Sequence, residues 1–464
     1  MAKITHSKSP LSTNPLKSSA PLGAALAYLG VEGAVPLFHG SQGCTAFAMV
    51  AMVRHFKEAV PLQTTAMNEV STILGGADHI EEALENLVKK ASPKFIGIAS
   101  TALTETRGED VLGELSEIRQ RRDDLKDVAF VYASTPDFEG GLEEGWARAV
   151  EAIIDQLVPA TTGRDTAIDT KRVNLLASSH LTPADVEELV GMIEAFGLQA
   201  TVLPDISTSL DGHVEDTWRS TSLGGTKLDE IARMGEAAFT LVVGESLRSA
   251  AVKLEDKAGV PYRVFQSVTG LKPADAFVRT LMGLSNTTEP PASIKRDRSR
   301  LVDASLDAHF HTGGLKVAIG AEPDLMFSMA NVLSGMGVDV VAAVSTAASN
   351  GVLSRVAADE VLIGDLGDLE RLAAERKADV LVTHSHGRQA SERLGLPLVR
   401  AGFPIFDRLG AQDVCRVGYR GTRAFLYEIA NVVQAGLHRS KPADFGAQPI
   451  DREFEHDSTP ASTH

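Results

Sequence analysis

The stretch His79-Ile80-Glu81-Glu82-Ala83-Leu84-Glu85-Asn86-Leu87-Val88-Lys89-Lys90-Ala91, followed after Ser92-Pro93-Lys94 by Phe95-Ile96-Gly97-Ile98-Ala99, decides the fold class. Ile80, Ala83, Leu84, Leu87, Val88 and Ala91 recur at helical spacing, so one face is apolar and the other charged. The unbroken apolar run at 95–99 reads as a strand buried on both faces, the signature of a parallel sheet. Val111, Leu112, Leu115 and Ile118 mark the next helix, and 128–133 the next strand. Trp146, Ala149, Val150, Ile153, Ile154 and Leu157 then trace another helix face. Strands alternating with amphipathic helices predict α/β architecture, with parallel sheets joined by right-handed crossovers.

The alternation resumes beyond a break at Pro159-Ala160-Thr161-Thr162-Gly163. A strand is expected over 172–177. Thr182-Pro183 should open a helix, Thr as cap and Pro at the first position, with Gly197 ending it. Further strands are expected at 200–203, 239–243 and 262–265. Residues 287–300, rich in Pro and charge, read as a connection. A third series has strands at 315–320, 338–344, 361–363 and 379–383, and closes on a long helix over 421–438. The expected organisation is an arm (1–19), three α/β domains (20–165, 166–300 and 301–440) and a disordered tail (441–464).

The 464 residues carry 45 basic against 61 acidic side chains, a net charge of −16. This balance argues against nonspecific binding to nucleic acid or anionic membrane. No apolar run approaches the ~18 residues of a membrane span, and the polar start lacks the core of a signal peptide, so a cytoplasmic location is expected. The two cysteines, Cys44 and Cys415, exclude a disulfide framework and any metal site built from several cysteines of this chain.

The segment Pro36-Leu37-Phe38-His39-Gly40-Ser41-Gln42-Gly43-Cys44 runs from an apolar stretch through a glycine-containing loop into an apolar helical stretch. Cys44 is thus expected near a helix N-terminus, where free N–H groups and the helix dipole favour a thiolate. Gly40 and Gly43 would let a bulky group approach the backbone closely. From the local sequence alone, a buried, inert cysteine near a turn is the favoured reading. His39 reads as filling that turn, with metal ligation the alternative. His384 and His386 follow an expected strand, where α/β proteins bind ligands, yet they also suit a plain strand-to-helix turn. A phosphate-binding P-loop, a full dinucleotide fingerprint, a nucleophile elbow and a His-x-x-x-His zinc pattern are all missing.

Several segments, in order, resemble the nitrogenase component 1 family. They are 13–26; Phe38 to Phe47; Pro61-Leu62-Gln63-Thr64-Thr65-Ala66-Met67; Leu103 to Asp110; Leu203-Pro204-Asp205-Ile206-Ser207 with Leu210-Asp211-Gly212-His213; Ser385-His386-Gly387; and Arg400 to Arg408. The resemblance spans about residues 13–440. It implies three Rossmann-like domains. Within the family it points to the subunits that mature the iron–molybdenum cofactor rather than to the reductase itself. It implies a scaffold role in an α2β2 heterotetramer with a homologous, NifE-like partner, served transiently by the nitrogenase iron protein. It also implies a 4Fe–4S cluster shared at the interface, with Cys44 as a ligand and the cofactor precursor bound mainly by the partner. No catalytic residue is expected. A 4Fe–4S cluster ordinarily takes four cysteines, so a cluster at Cys44 requires the other ligands from a different chain. The family's reductase β subunit supplies three cysteines to a larger cluster. The regions around Pro21 and Ile96-Gly97-Ile98-Ala99-Ser100 hold none. The alternatives are an electron-transferring β-type subunit of a nitrogenase-like reductase and a small-molecule binder with an inert Cys44.

Overall fold

The computed structural model describes residues 1–9, 12, 14–68, 77–161, 168–214, 216–348 and 351–437. The expected tail, 441–464, lies outside them. The strands form three all-parallel sheets. The first contains β2 (Ala34–His39), β3 (Gln63–Thr64), β4 (Phe95–Ser100) and β5 (Ala129–Ala133), in the order β3-β2-β4-β5. The second contains β6 (Asp169–Ala177), β7 (Gln199–Leu203), β8 (Ala237–Val243) and β9 (Tyr262–Phe265), in the order β7-β6-β8-β9. The third contains β10 (Lys316–Ala321), β11 (Asp339–Ser345), β12 (Glu360–Ile363), β13 (Val380–Thr383) and β14 (Leu398–Arg400). Its edge is β1 (Lys3–His6), which pairs with β12 in the register Ile4↔Val361. The N-terminal residues thus complete the third sheet.

Local chemistry behaves as the sequence predicts at several points. Every residue of β2 and β4 is buried, as continuous apolar runs require, and they pair in the register Leu37↔Ile98. Thr182 caps the helix Pro183–Glu194 by accepting the Asp185 N–H. Gly197 is left-handed just beyond its end, at φ +71°.

One expectation fails. Residues 287–300 contain not only a connection but also the start of a helix, Ala292–Thr312. Pro291 stands at its cap, and Ile294, Leu301, Ala304 and Ala308 form a sparse buried stripe. Its charges face outward in pairs such as Arg298–Asp275 at 2.8 Å. High charge therefore masked an amphipathic helix.

The helix Ala20–Leu29 is buried along its whole length and lies against the helix Leu142–Leu157. A Cβ at Gly23 would collide with the Leu142 carbonyl, and one at Gly145 with that of Ala20, so the two backbones touch. From this pair, the Trp146 indole donates to the Ala177 carbonyl of β6 at 3.0 Å. Glu143 accepts the Asp324 N–H from beyond β10 at 2.9 Å. The three layers therefore meet on one central helix pair. Among the described residues, no helix is long and apolar enough to cross a membrane.

Candidate functional site

In the first sheet, chain connections leave β2 toward β3 on one side and return to β4 on the other. The carboxyl ends of β2 and β4 thus flank a topological switch point, where open α/β sheets bind ligands. The loop from His39 into the helix Gln42–Phe56 emerges there, with Cys44 as the third helical residue. The first N–H groups of a helix have no intrahelical partner. The Ser41 hydroxyl lies 3.7 Å from the Cys44 sulfur.

Cys44 is exposed, not buried in a turn. A Cβ added at Gly43 would meet nothing within 4 Å, so the space beside the thiol is open. Gly40 differs: the place of its Cβ is taken by the Thr101 side chain. Gly40 therefore serves close packing between the two strand ends, and Gly43 alone faces open space.

The helix Gln42–Phe56 has two apolar faces. Thr45, Ala48, Met52, His55 and Phe56 are buried. On the other side Phe47, Val50 and Val53 remain 81%, 54% and 37% exposed, and Cys44 lies one turn before Phe47. Exposed apolar side chains grouped on one helix face are a feature of interaction surfaces and ligand grooves alike.

His39 ends β2 and is fully buried. Its Nε2 lies 2.7 Å from a Glu109 oxygen and its Nδ1 3.1 Å from the Thr65 hydroxyl, so neither nitrogen is free for a metal. Burial lowers its pKa, against the pull of Glu109. Thr101 and Thr104 hydroxyls donate to the His39 carbonyl. His384 is buried, with Nε2 3.0 Å from the Leu16 carbonyl and Nδ1 accepting the His386 N–H at 3.3 Å. It caps the strand-to-helix turn, and burial pushes its pKa down to about 4. His386 packs edge-on against Phe406. His384 thus serves the turn, while His386 is exposed.

Cys415 is partly buried, and burial together with Asp185 and Glu188 pushes its thiol pKa up, which keeps it protonated. Among the described residues, no group of three or more His, Cys, Asp or Glu could hold a metal ion. An iron–sulfur cluster thus fits here only with Cys44 as one ligand of a set completed from outside. A cavity of about 60 Å³ where the three layers meet is lined by His55, Trp146, His180, Leu325 and Arg416, among others. It has room for a few waters.

Thr65 and Glu109, the partners of His39, were not singled out by sequence reasoning, although both lie in segments that carried the resemblance. The exposed face at Phe47, Val50 and Val53 was missed too. No local pattern distinguishes the apolar face that packs inward from the one left exposed.

Comparison with known proteins follows the same lines. The family described as nitrogenase component 1 type oxidoreductase matches residues 19–434. A protein of Rhodobacter capsulatus named "Nitrogenase iron-molybdenum cofactor biosynthesis protein NifN" is 63% identical over 99% of this chain and 100% of its own length. A Mesorhizobium japonicum protein of the same name is 53% identical over 95% of each chain. Among solved structures, one titled "Nitrogenase Cp1 at pH 6.5" superposes with a TM-score of 0.87 at 27% identity, over 95% of this chain and 97% of that one.

Proposed function

This chain belongs to the nitrogenase component 1 type oxidoreductase family, and from that membership we propose that it is a subunit of the complex on which the iron–molybdenum cofactor of nitrogenase is matured. It acts as a scaffold rather than a catalyst, in the cytoplasm, paired with a homologous NifE-like subunit in an α2β2 assembly. The nitrogenase iron protein visits that assembly transiently. The names of the relatives support the process. The observation that carries the site is Cys44, an exposed thiol in the first turn of a helix that also bears exposed apolar residues, in a chain whose other cysteine is partly buried elsewhere.

In this reading Cys44 holds one iron of a 4Fe–4S cluster at the interface, and the partner supplies the remaining ligands. The cluster, when bound, supplies one-electron storage. Ser41 places a hydroxyl beside the sulfur, and Phe47, Val50 and Val53 close against the partner and keep water out. A reductase β-type subunit would share the fold, as the match to a nitrogenase structure illustrates. Identity of 63% to a biosynthesis protein against 27% to that nitrogenase favours the scaffold.

Iron and sulfide analysis of the co-purified complex tests the proposal. Cys44→Ala should remove the interfacial cluster and its EPR signal after reduction, with both chains folded. Cys415→Ala should keep both. Unchanged iron and EPR in Cys44→Ala would refute the assignment.

A further inference from the structure

We infer that the cavity where the three layers meet is a binding site for a small ionised carboxylic acid, its carboxylate held by His55 and Arg416 and its short tail by apolar side chains. The inference is independent of the cluster reading above.

Topology places the cavity where ligands bind. In the second sheet β6 lies between β7 and β8, and in the third β10 lies between β11 and β13, so the chain leaves each strand on one side and returns on the other. The loop 178–182 follows β6, and the helix Pro323–Ser334 follows β10. Both segments line the cavity, which therefore sits beyond the carboxyl ends of two strands at two switch points. From the first layer His55 closes it, in the last turn of the helix Gln42–Phe56. The cavity is partly open, with Ser179, His180, Gly402 and Phe403 only partly buried on its wall.

The polar groups on that wall are short of acceptors. The His55 Nδ1 accepts the Ile405 N–H at 2.8 Å, so the ring hydrogen must sit on Nε2. His55 is only 9% exposed, and among the described residues nothing accepts that hydrogen. Arg416 also lines the cavity and is 6% exposed. Its Nη2 donates to the Arg400 carbonyl at 2.7 Å and faces Glu428 at 3.5 Å, while its buried Nε–H has no partner among the described residues. The His180 Nδ1 is tied to the Ser178 hydroxyl at 2.6 Å, and among the described residues its Nε2 has no partner. Asp185 does not answer these donors: its oxygens already accept the N–H groups of Thr182, Arg416 and Val417. The Thr182 hydroxyl accepts the Asp185 N–H and donates to the Val414 carbonyl.

Buried donors without partners are costly, so the arrangement asks for an acceptor. Water meets them only by placing its own hydrogens, and the side chains that would take those are engaged. An ionised carboxylate only accepts. Burial pushes both imidazoles down to about 4, which keeps them neutral and leaves Arg416 as the cation that the carboxylate meets. Leu26, Phe56, Leu325 and Met329 make much of the remaining wall apolar. That suits an alkyl tail and not an inorganic oxyanion, which needs donors on every side. About 60 Å³ suits an acid the size of acetate.

The test is equilibrium dialysis of radiolabelled acetate against the co-purified complex, previously exchanged into chloride buffer. Wild type should take up acetate saturably, and excess propionate should displace it while inorganic phosphate should not. His55→Asn keeps an acceptor for the Ile405 N–H and removes the Nε2 donor, and should weaken uptake roughly tenfold or more. Met329→Phe fills the cavity without touching a polar group and should abolish uptake on this chain. Melting curves report whether each variant is folded, and the second serves if the first is not. No saturable uptake by wild type, displacement by phosphate as readily as by propionate, or wild-type uptake in a folded variant overturns the inference. Iron content plays no part in the readout, so the cluster assignment stands or falls separately.

Discussion

Replacing Phe47 by Ser asks whether the exposed face of the Gln42–Phe56 helix is an interface. The ring is 81% exposed in the isolated chain. Fully burying a phenylalanine is worth up to ~3 kcal/mol. Closing a partner over Phe47 should therefore gain about 2 kcal/mol that Ser cannot supply, equivalent to roughly a 30-fold looser complex. The fold itself should change by less than about 0.5 kcal/mol, because the ring has few neighbours within its own chain. Met52, on the opposite face, is fully buried, so Met52→Ala should show the reverse pattern. It should lose about 2–5 kcal/mol of fold stability with little direct effect on association. Mass photometry of the co-purified complex across a dilution series gives the dissociation constant, and denaturant unfolding gives the stability. A dissociation constant unchanged by Phe47→Ser would show that the stripe stays in water, and the argument that Cys44 sits at an interface would fail with it.

Two further outcomes concern the central junction. Glu322 accepts a hydrogen bond from Thr346 at 2.5 Å, and burial, then the neighbouring Glu144, push its carboxyl up to about 8. The folded chain thus keeps a proton that the unfolded chain releases near its ordinary 4.5, so wild-type stability should decline as pH climbs from 4.5 through 8. Glu322→Gln removes that loss, and its melting temperature relative to wild type should rise across the window; a constant difference would contradict the assignment. Trp146→Phe orphans the buried Ala177 carbonyl, now bonded at 3.0 Å, and should cost about 1–3 kcal/mol in denaturant unfolding. A cost below ~0.5 kcal/mol would show that this tie between the first two layers carries no weight.

How much of this was legible from sequence depended on whether the deciding interaction was local. A strand buried on both faces declares itself in its own residues, as Phe95 to Ala99 do, and a cap such as Thr182 lies three residues from the N–H it accepts. Cys44 was placed at a helix start because the loop and the helix adjoin it in sequence. Its exposure was not legible, since burial depends on what the remaining chain leaves uncovered. Lys3 to His6 carries too little pattern to announce an edge strand, and the strand it pairs with lies more than 350 residues away. The Ala292–Thr312 helix was hidden because ion pairs with other helices, such as Arg298 with Asp275, satisfy charges that suggest a linker when read locally. His39 combines both cases. Its place at the end of an apolar run was readable, and its chemistry was not, because Thr65 and Glu109 come from segments 26 and 70 residues further along the chain.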